Sequence, residues 1–89
     1  MNNTALDKII KKIIIPKYPW IKYYDISEDS VGGASSNRRT YYRVDYFIDP
    51  RYNGEDLRKV EEVTRMLFNA LGYDEYHKFD GVNFYLGKP

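Results

Sequence analysis

Catalysis by an activated nucleophile would have to use His77, because it is the only histidine in the sequence. Such catalysis places a hydroxyl or thiol nucleophile beside a base. Asp74 and Glu75 are close to His77 in the chain, but the serines cluster in residues 27–36, far from it. The chain has no cysteine, which excludes thiolate chemistry and disulfides. We therefore expect His77 to be a solvated or hydrogen-bonded side chain, and we expect no catalytic residue and no enzymatic activity.

The acidic residues and the glycine-containing loop do not form a recognisable metal or nucleotide motif. One histidine without any cysteine argues against a zinc site. Asp45 and Asp49 would lie on one side of a strand but about 13 Å apart along it, too far to share a cation. Residues 32–39 lack the Gly-Lys-Ser/Thr ending of a phosphate-binding P-loop, and a strand is expected to follow them instead of a helix. The sequence thus predicts no metal, no cofactor and no small-molecule substrate.

Cations and aromatic rings are interleaved where the second expected strand begins, a mixture typical of surfaces that bind single-stranded nucleic acid. The halves of the chain also differ in charge: residues 1–43 carry eight Lys/Arg and four acids, and residues 44–89 carry six and nine. The whole chain has a net charge of only +1, however, whereas dedicated nucleic-acid binders have a strong basic excess. Nucleic-acid binding through residues 38–43 and the lysines of the first helix is therefore the alternative function.

The favoured function is protein interaction, and the unusual tyrosine content is the main reason. Ten of the 89 residues are tyrosine, a residue common at interfaces because its ring buries area while its hydroxyl finds a partner. The sequence therefore predicts a non-enzymatic protein-interaction or structural subunit of a larger assembly, with a protein partner or a second copy bound. The predicted partner-binding residues are Arg38, Arg39, Tyr41, Arg43, Phe47, Lys8, Lys11 and Lys12.

Composition also bears on the setting in which the protein works. Ile, Lys, Asn, Tyr and Phe are favoured over Gly, Ala, Arg and Pro, which is typical of AT-rich genomes and suggests a phage or viral component. No run of apolar residues approaches the roughly 18 that a membrane span needs. The first residues lack the basic region of a signal peptide. We expect a cytoplasmic or virion protein that is neither secreted nor transmembrane.

The first half of the chain predicts one helix and two strands. Apolar residues recur with helical spacing over 4–15, and Pro16 should end that helix. The inward positions expected there are Leu6, Ile9, Ile10, Ile13 and Ile14. Residues 20–26 and 40–48 read as an antiparallel strand pair. A flexible hairpin loop, 27–39, is expected to join them, because it holds two adjacent glycines and four serines.

The second half predicts a longer helix and a β tail. The helix should run over 54–71, with Asn53 as its N-cap and Gly72 just after its end. Asp80-Gly81 favours a second hairpin, and a single strand over 82–86 is the alternative. The result is one α+β domain, 1–89, built as a two-layer sandwich in the order α-β-β-α-β(-β). Two helices should cover one face of a small antiparallel sheet.

Overall fold

The computed structural model describes residues 4–32 and 38–89, and this part of the chain forms two helices on one face of a three-stranded sheet. The predicted α+β two-layer fold is thus confirmed. Helix α1 passes through three consecutive helical segments, Thr4–Ile9, Ile10–Ile14 and Ile15–Lys17; strand β1 is Ile21–Val31, β2 is Arg39–Ile48, helix α2 is Leu57–Ala70 and β3 is His77–Leu86.

The sheet is mixed, which corrects the prediction of an antiparallel sheet. Its order is β1-β2-β3, with β1 antiparallel to β2 and β3 parallel to β2. A parallel neighbour needs a crossover long enough to return the chain to the same end of the sheet. Helix α2 provides that crossover between β2 and β3.

The expected second hairpin is absent from the described tail, where Asp80 and Gly81 lie inside the single strand β3. The register with β2 shifts next to them, since Tyr42 pairs with Phe79 and Arg43 pairs with Gly81. Gly81 has a φ of 129°, which side chains other than glycine's rarely adopt. The Asp-Gly pair therefore forms a bulge that bends one strand and not a turn between two.

The centre of the core comes from β2, where the alternation of residue types in the sequence predicts that the even-numbered residues 42–48 face inward and the odd-numbered ones outward. Tyr42, Val44, Tyr46 and Ile48 are all buried beneath the helices. Tyr42 contacts the ring of Phe68 on α2. The odd-numbered residues of β2 therefore lie on the opposite face of the sheet, away from the helices.

Helix α1 differs from its prediction because its middle segment, Ile10–Ile14, is a π-helix. A π-turn contains more residues than an α-turn, so it shifts the buried positions along the chain. The buried residues are therefore spaced by four, namely Leu6, Ile10, Ile14 and Tyr18, while Ile13 is 39% exposed. Pro16 does not end the helix, which continues to Lys17, because Pro16 lies in the first turn of the last helical segment, where a proline is tolerated.

Both long strands are longer than predicted, and the loop between them is shorter. Ser27 to Val31 continue β1, and they pair with Arg39 to Arg43 of β2. The predicted loop 27–39 therefore narrows to residues 32–38, of which 33–37 lie outside the described residues. Polar side chains such as Glu28 and Asp29 are tolerated in this extension because it has one exposed edge.

Helix α2 begins at Leu57, three residues later than expected, and Asp56 takes the N-cap position. Asn53 acts earlier, where its side-chain oxygen accepts a hydrogen bond from the Glu55 amide in the preceding turn. Gly72 follows the helix with a φ of 75°, which confirms its predicted place. Helical spacing predicts an inward stripe that omits Phe68, which the structure shows to be buried. The predicted stripe is Leu57, Val60, Val63, Thr64, Leu67, Ala70 and Leu71.

Candidate interaction surface

The sheet has one face without a helix in the described structure, and we call it the open face. Helices α1 and α2 pack on the side of Tyr42, Val44 and Tyr46. Because successive side chains of a strand point to opposite faces, the odd-numbered residues of β2 lie on the open face together with the residues paired to them. The open face therefore consists of five rows: Tyr23, Phe47 and Tyr85; Asp25, Asp45 and Asn83; Ser27, Arg43 and Gly81; Asp29, Tyr41 and Lys78; Val31 and Arg39.

The first row is a continuous line of three aromatic rings across all three strands. The ring centroid of Phe47 lies 5.7 Å from that of Tyr23 and 5.2 Å from that of Tyr85. The flanking rings are unusually accessible, with Tyr23 51% and Tyr85 46% exposed. The row thus offers preformed apolar area with hydroxyl groups at both ends, which is the composition of protein-interface hot spots.

The second row holds a carboxylate that is buried although it faces away from the helices. Asp45 is only 7% exposed. Its Oδ1 accepts hydrogen bonds from Arg43 Nε at 3.2 Å and from Asn83 Nδ2 at 3.2 Å. The hydrogen bond and charge of Asp45 raise the pKa of Arg43. These contacts hold the half-exposed side chain of Arg43 against Asp45 on the open face.

A depression of about 460 Å³ lies at the end of the open face near the β1–β2 loop. Arg39, Tyr41, Tyr76 and Lys78 line it together with Glu75. Two rings and two cations around one cavity resemble the stacking and charge contacts that nucleotides receive in single-strand binders. This is the part of the surface that corresponds best to the alternative function.

The structure divides the eight predicted partner-binding residues between two sides of the molecule. Arg39, Tyr41, Arg43 and Phe47 lie on the open face. The lysines of α1 belong to the helix layer, where Lys11 pairs with Asp7 at 3.6 Å. The remaining members are exposed: Lys8 and Lys12 on α1, and Arg38 just before β2. One flat partner on the open face would contact the first group and not the lysines.

His77 lies at the start of β3 as a hydrogen-bonded residue, as expected. Its Nδ1 lies 2.5 Å from Asp74 Oδ1, and this hydrogen bond lowers the pKa of Asp74. Its ring is 6.1 Å from Tyr42 and 5.8 Å from Tyr73. These contacts link the chain after α2 to the core, which gives His77 a structural role.

Sequence reasoning missed the outer members of the open face, Tyr23, Tyr85 and Asn83. Tyr23 could have been found from strand alternation, because it pairs with Phe47. Tyr85 and Asn83 could not, since their position depends on the parallel register and on the bulge at Gly81.

The described residues contain neither a metal-ligand cluster nor a membrane-spanning helix. They contain no group of three or more His, Cys, Asp or Glu side chains arranged to hold a metal ion. Neither α1 nor α2 is both long enough and apolar enough to cross a membrane. Comparison with known proteins likewise gives no lead: no family model, no curated protein and no solved structure matches the chain.

Proposed function

We propose that this protein is a non-enzymatic interaction or structural subunit of a larger assembly, and that its open face packs against a protein partner. The observation that carries this proposal is the exposed row of Tyr23, Phe47 and Tyr85 on a sheet face without helices. A phage or viral assembly is the setting that the composition favours.

The charge on the open face supports a protein partner over a nucleic acid. Three carboxylates lie there, on Asp25, Asp29 and Asp45, against the three cations Arg39, Arg43 and Lys78. These charges balance, so the face lacks the basic excess that binding to phosphate groups requires. A protein surface with apolar side chains for the aromatic row and polar groups for the neighbouring row matches it better.

Burying the aromatic row in an interface has a small cost in conformational entropy. Aromatic side chains already stacked on one another lose little conformational freedom on binding, so more of their transfer free energy appears as affinity. Each ring that a partner covers contributes through apolar area at about 25 cal/mol per Å² before the costs of association. Phe47, at the centre of the row, is expected to be the strongest single contributor.

The test has two steps. The wild-type chain and its variants are first used to capture a partner from a lysate of the source cells, and the purified partner is then bound to each chain separately. Phe47→Ser and Tyr85→Ser should abolish capture of a partner, and the purified partner should bind the wild-type chain with little dependence on salt. Met66→Ser is the matched control, because Met66 is exposed on α2, away from the open face. Retention of the partner by both row variants would contradict the proposal.

The second candidate function is binding of single-stranded nucleic acid at the depression lined by Tyr41 and Tyr76. Its supporting observation is the pairing of these rings with Arg39 and Lys78. Such binding would weaken steeply as salt rises, because phosphate contacts release counterions. Titration of a fluorescent oligonucleotide at two salt concentrations, with Arg39→Ala beside wild type, tests it. Absence of binding at low salt eliminates it.

A further inference from the structure

The outer edge of β1 is the longest pairing surface that the described sheet leaves unused. β1 pairs with β2 on one side and with no described strand on the other. It spans 11 residues without proline, and its one irregularity lies at its beginning, between Ile21 and Tyr23. Natural edges are usually short, interrupted or covered, and a long regular edge is a template for another strand. The edge of β3 differs, because the bulge at Gly81 interrupts it in the middle.

A groove of about 520 Å³ follows this edge between β1 and helix α1. Tyr23 and Asp25 line it from the open side of the sheet, and Tyr24 and Ile26 line it from the helix side. Because residues of both faces contribute, the groove runs along the strand edge. Space for an added strand therefore exists beside the first half of β1.

We infer that this edge pairs with the same edge of a second copy, antiparallel and about a two-fold axis at Ile26, to form a six-stranded sheet. Two-fold pairing of equal strands restricts the registers, because paired residues must share a face. The register centred on Ile26 places Tyr23 opposite Asp29, Tyr24 opposite Glu28, and Asp25 opposite Ser27 of the second copy. None of these pairs joins like charges, and the hydroxyls of Tyr23 and Ser27 face the carboxylates of Asp29 and Asp25.

The neighbouring registers are worse for electrostatic reasons. Centring the axis on Asp25 would place the Asp25 side chains of the two copies directly opposite each other. Centring it on Ser27 would place Asp25 opposite Asp29 twice. Like charges directly opposite in a sheet are destabilising. The charges of β1 thus select one register of self-pairing and reject the two beside it.

The groove provides a further complementary contact. The Tyr24 hydroxyl donates to Asp7 on α1, and Lys11 pairs with the same carboxylate. The selected register brings Glu28 of the second copy opposite Tyr24, and so toward Lys11. The self-pairing uses the edge of the sheet, whereas the proposed function uses its open face. Either one can therefore be wrong while the other holds.

The test is a charge swap followed by light scattering over a range of protein concentrations. Ser27→Asp places a new carboxylate opposite Asp25 at two symmetry-related positions, and we expect the dimer Kd to rise by about tenfold or more. Asp25→Lys alone should leave the dimer in place, because the introduced ammonium group would face the Ser27 hydroxyl. The double variant Asp25→Lys/Ser27→Asp should return the Kd to within about twofold of wild type, since opposite charges then face each other.

The Ser27→Asp substitution is not expected to destabilise the monomer. Ser27 lies opposite Arg43 in its own sheet, and Arg43 Nη2 donates to its hydroxyl at 3.4 Å. The carboxylate introduced by Ser27→Asp would therefore gain an ion pair with Arg43 within the monomer, and the urea midpoint should not fall. Asn53→Asp adds the same charge far from β1 and is the matched control. A wild-type chain that stays monomeric at every concentration, or a dimer indifferent to Ser27→Asp, would overturn the inference.

Discussion

Asp45 shows at the scale of a residue how a charged side chain can hold an exposed surface in place. It is the buried acceptor for Arg43 and Asn83. We predict that Asp45→Ala lowers the free energy of unfolding by about 1–3 kcal/mol, because its partners lose charge-assisted hydrogen bonds. Urea denaturation measures this.

Asp25 is the control for that experiment, since it lies directly opposite Asp45 but is exposed. Asp25→Asn removes a like-charge neighbour, so stability should stay equal or rise by about 0.2–1 kcal/mol. Equal losses for both variants would show that Asp45 does not organise the open face.

A second residue-scale prediction concerns the buried hydroxyls of Tyr46 and Thr64. Thr64 Oγ1 donates to the Val60 carbonyl at 2.7 Å, so it must accept the hydrogen bond from the Tyr46 hydroxyl, 2.8 Å away. Thr64→Val leaves that hydroxyl buried without an acceptor and should cost about 1–3 kcal/mol. Tyr46→Phe should cost less, because Thr64 keeps its bond to Val60. Denaturation of the two variants checks the order, and a larger loss for Tyr46→Phe would contradict it.

The tyrosines also make stability depend on alkaline pH. Burial raises the pKa of Tyr46 above its usual range and raises the pKa of Tyr42 to about 12. Unfolded tyrosines ionise near pH ~10, so above that pH the unfolded chain loses protons that the folded chain keeps, and stability falls. Below it both states are protonated and this dependence vanishes.

Tyr46→Phe isolates one of these groups. It should reduce the steepness of the fall by up to about 1.4 kcal/mol per pH unit above pH ~10. Urea midpoints measured across that range give the slope for each protein, and identical slopes would show that Tyr46 ionises equally in both states.

At the scale of the element, helix α1 gives the sharpest prediction because its π-segment separates two neighbouring isoleucines. Ile14 is fully buried, while Ile13 is 39% exposed. Ile14→Ala should cost about 2–5 kcal/mol, as large-to-small changes in a core do. Ile13→Ala should cost far less, since much of its side chain already contacts water. Comparable losses from thermal or urea unfolding would mean that the helix turns with ordinary α-helical spacing.

The same helix marks the limit of what the sequence predicts about elements. The 3.6-residue period located the helix, and strand alternation located the inward face of β2, because both patterns are local. Local patterns did not predict the π-turn, which changes the spacing while the residue types stay the same. The prediction of a hairpin at Asp80-Gly81 was wrong, because the pairing of β3 with β2 outweighs the turn preference of these two residues.

At the scale of the whole molecule, the candidate surface was predictable in part. The sequence predicts Tyr41, Arg43 and Phe47 as partner-binding residues, and the structure places them together on the open face. The members from β3 depend on contacts between residues about 38 positions apart, such as Asn83 with Asp45, which periodicity does not reveal. The separation of the α1 lysines from this face also emerges only from the layer arrangement.

Light scattering gives the mass of the protein in solution, with and without single-stranded nucleic acid and at low and physiological salt. This measurement tests most directly whether the chain is a subunit of a protein assembly. We expect a mass that does not change when nucleic acid is added at either salt concentration, and self-pairing through β1 would bring it above the 10.6 kDa of one chain. A monomer that gains mass only with nucleic acid at low salt would contradict this expectation. It would favour nucleic-acid binding at the depression lined by Tyr41 and Tyr76 instead.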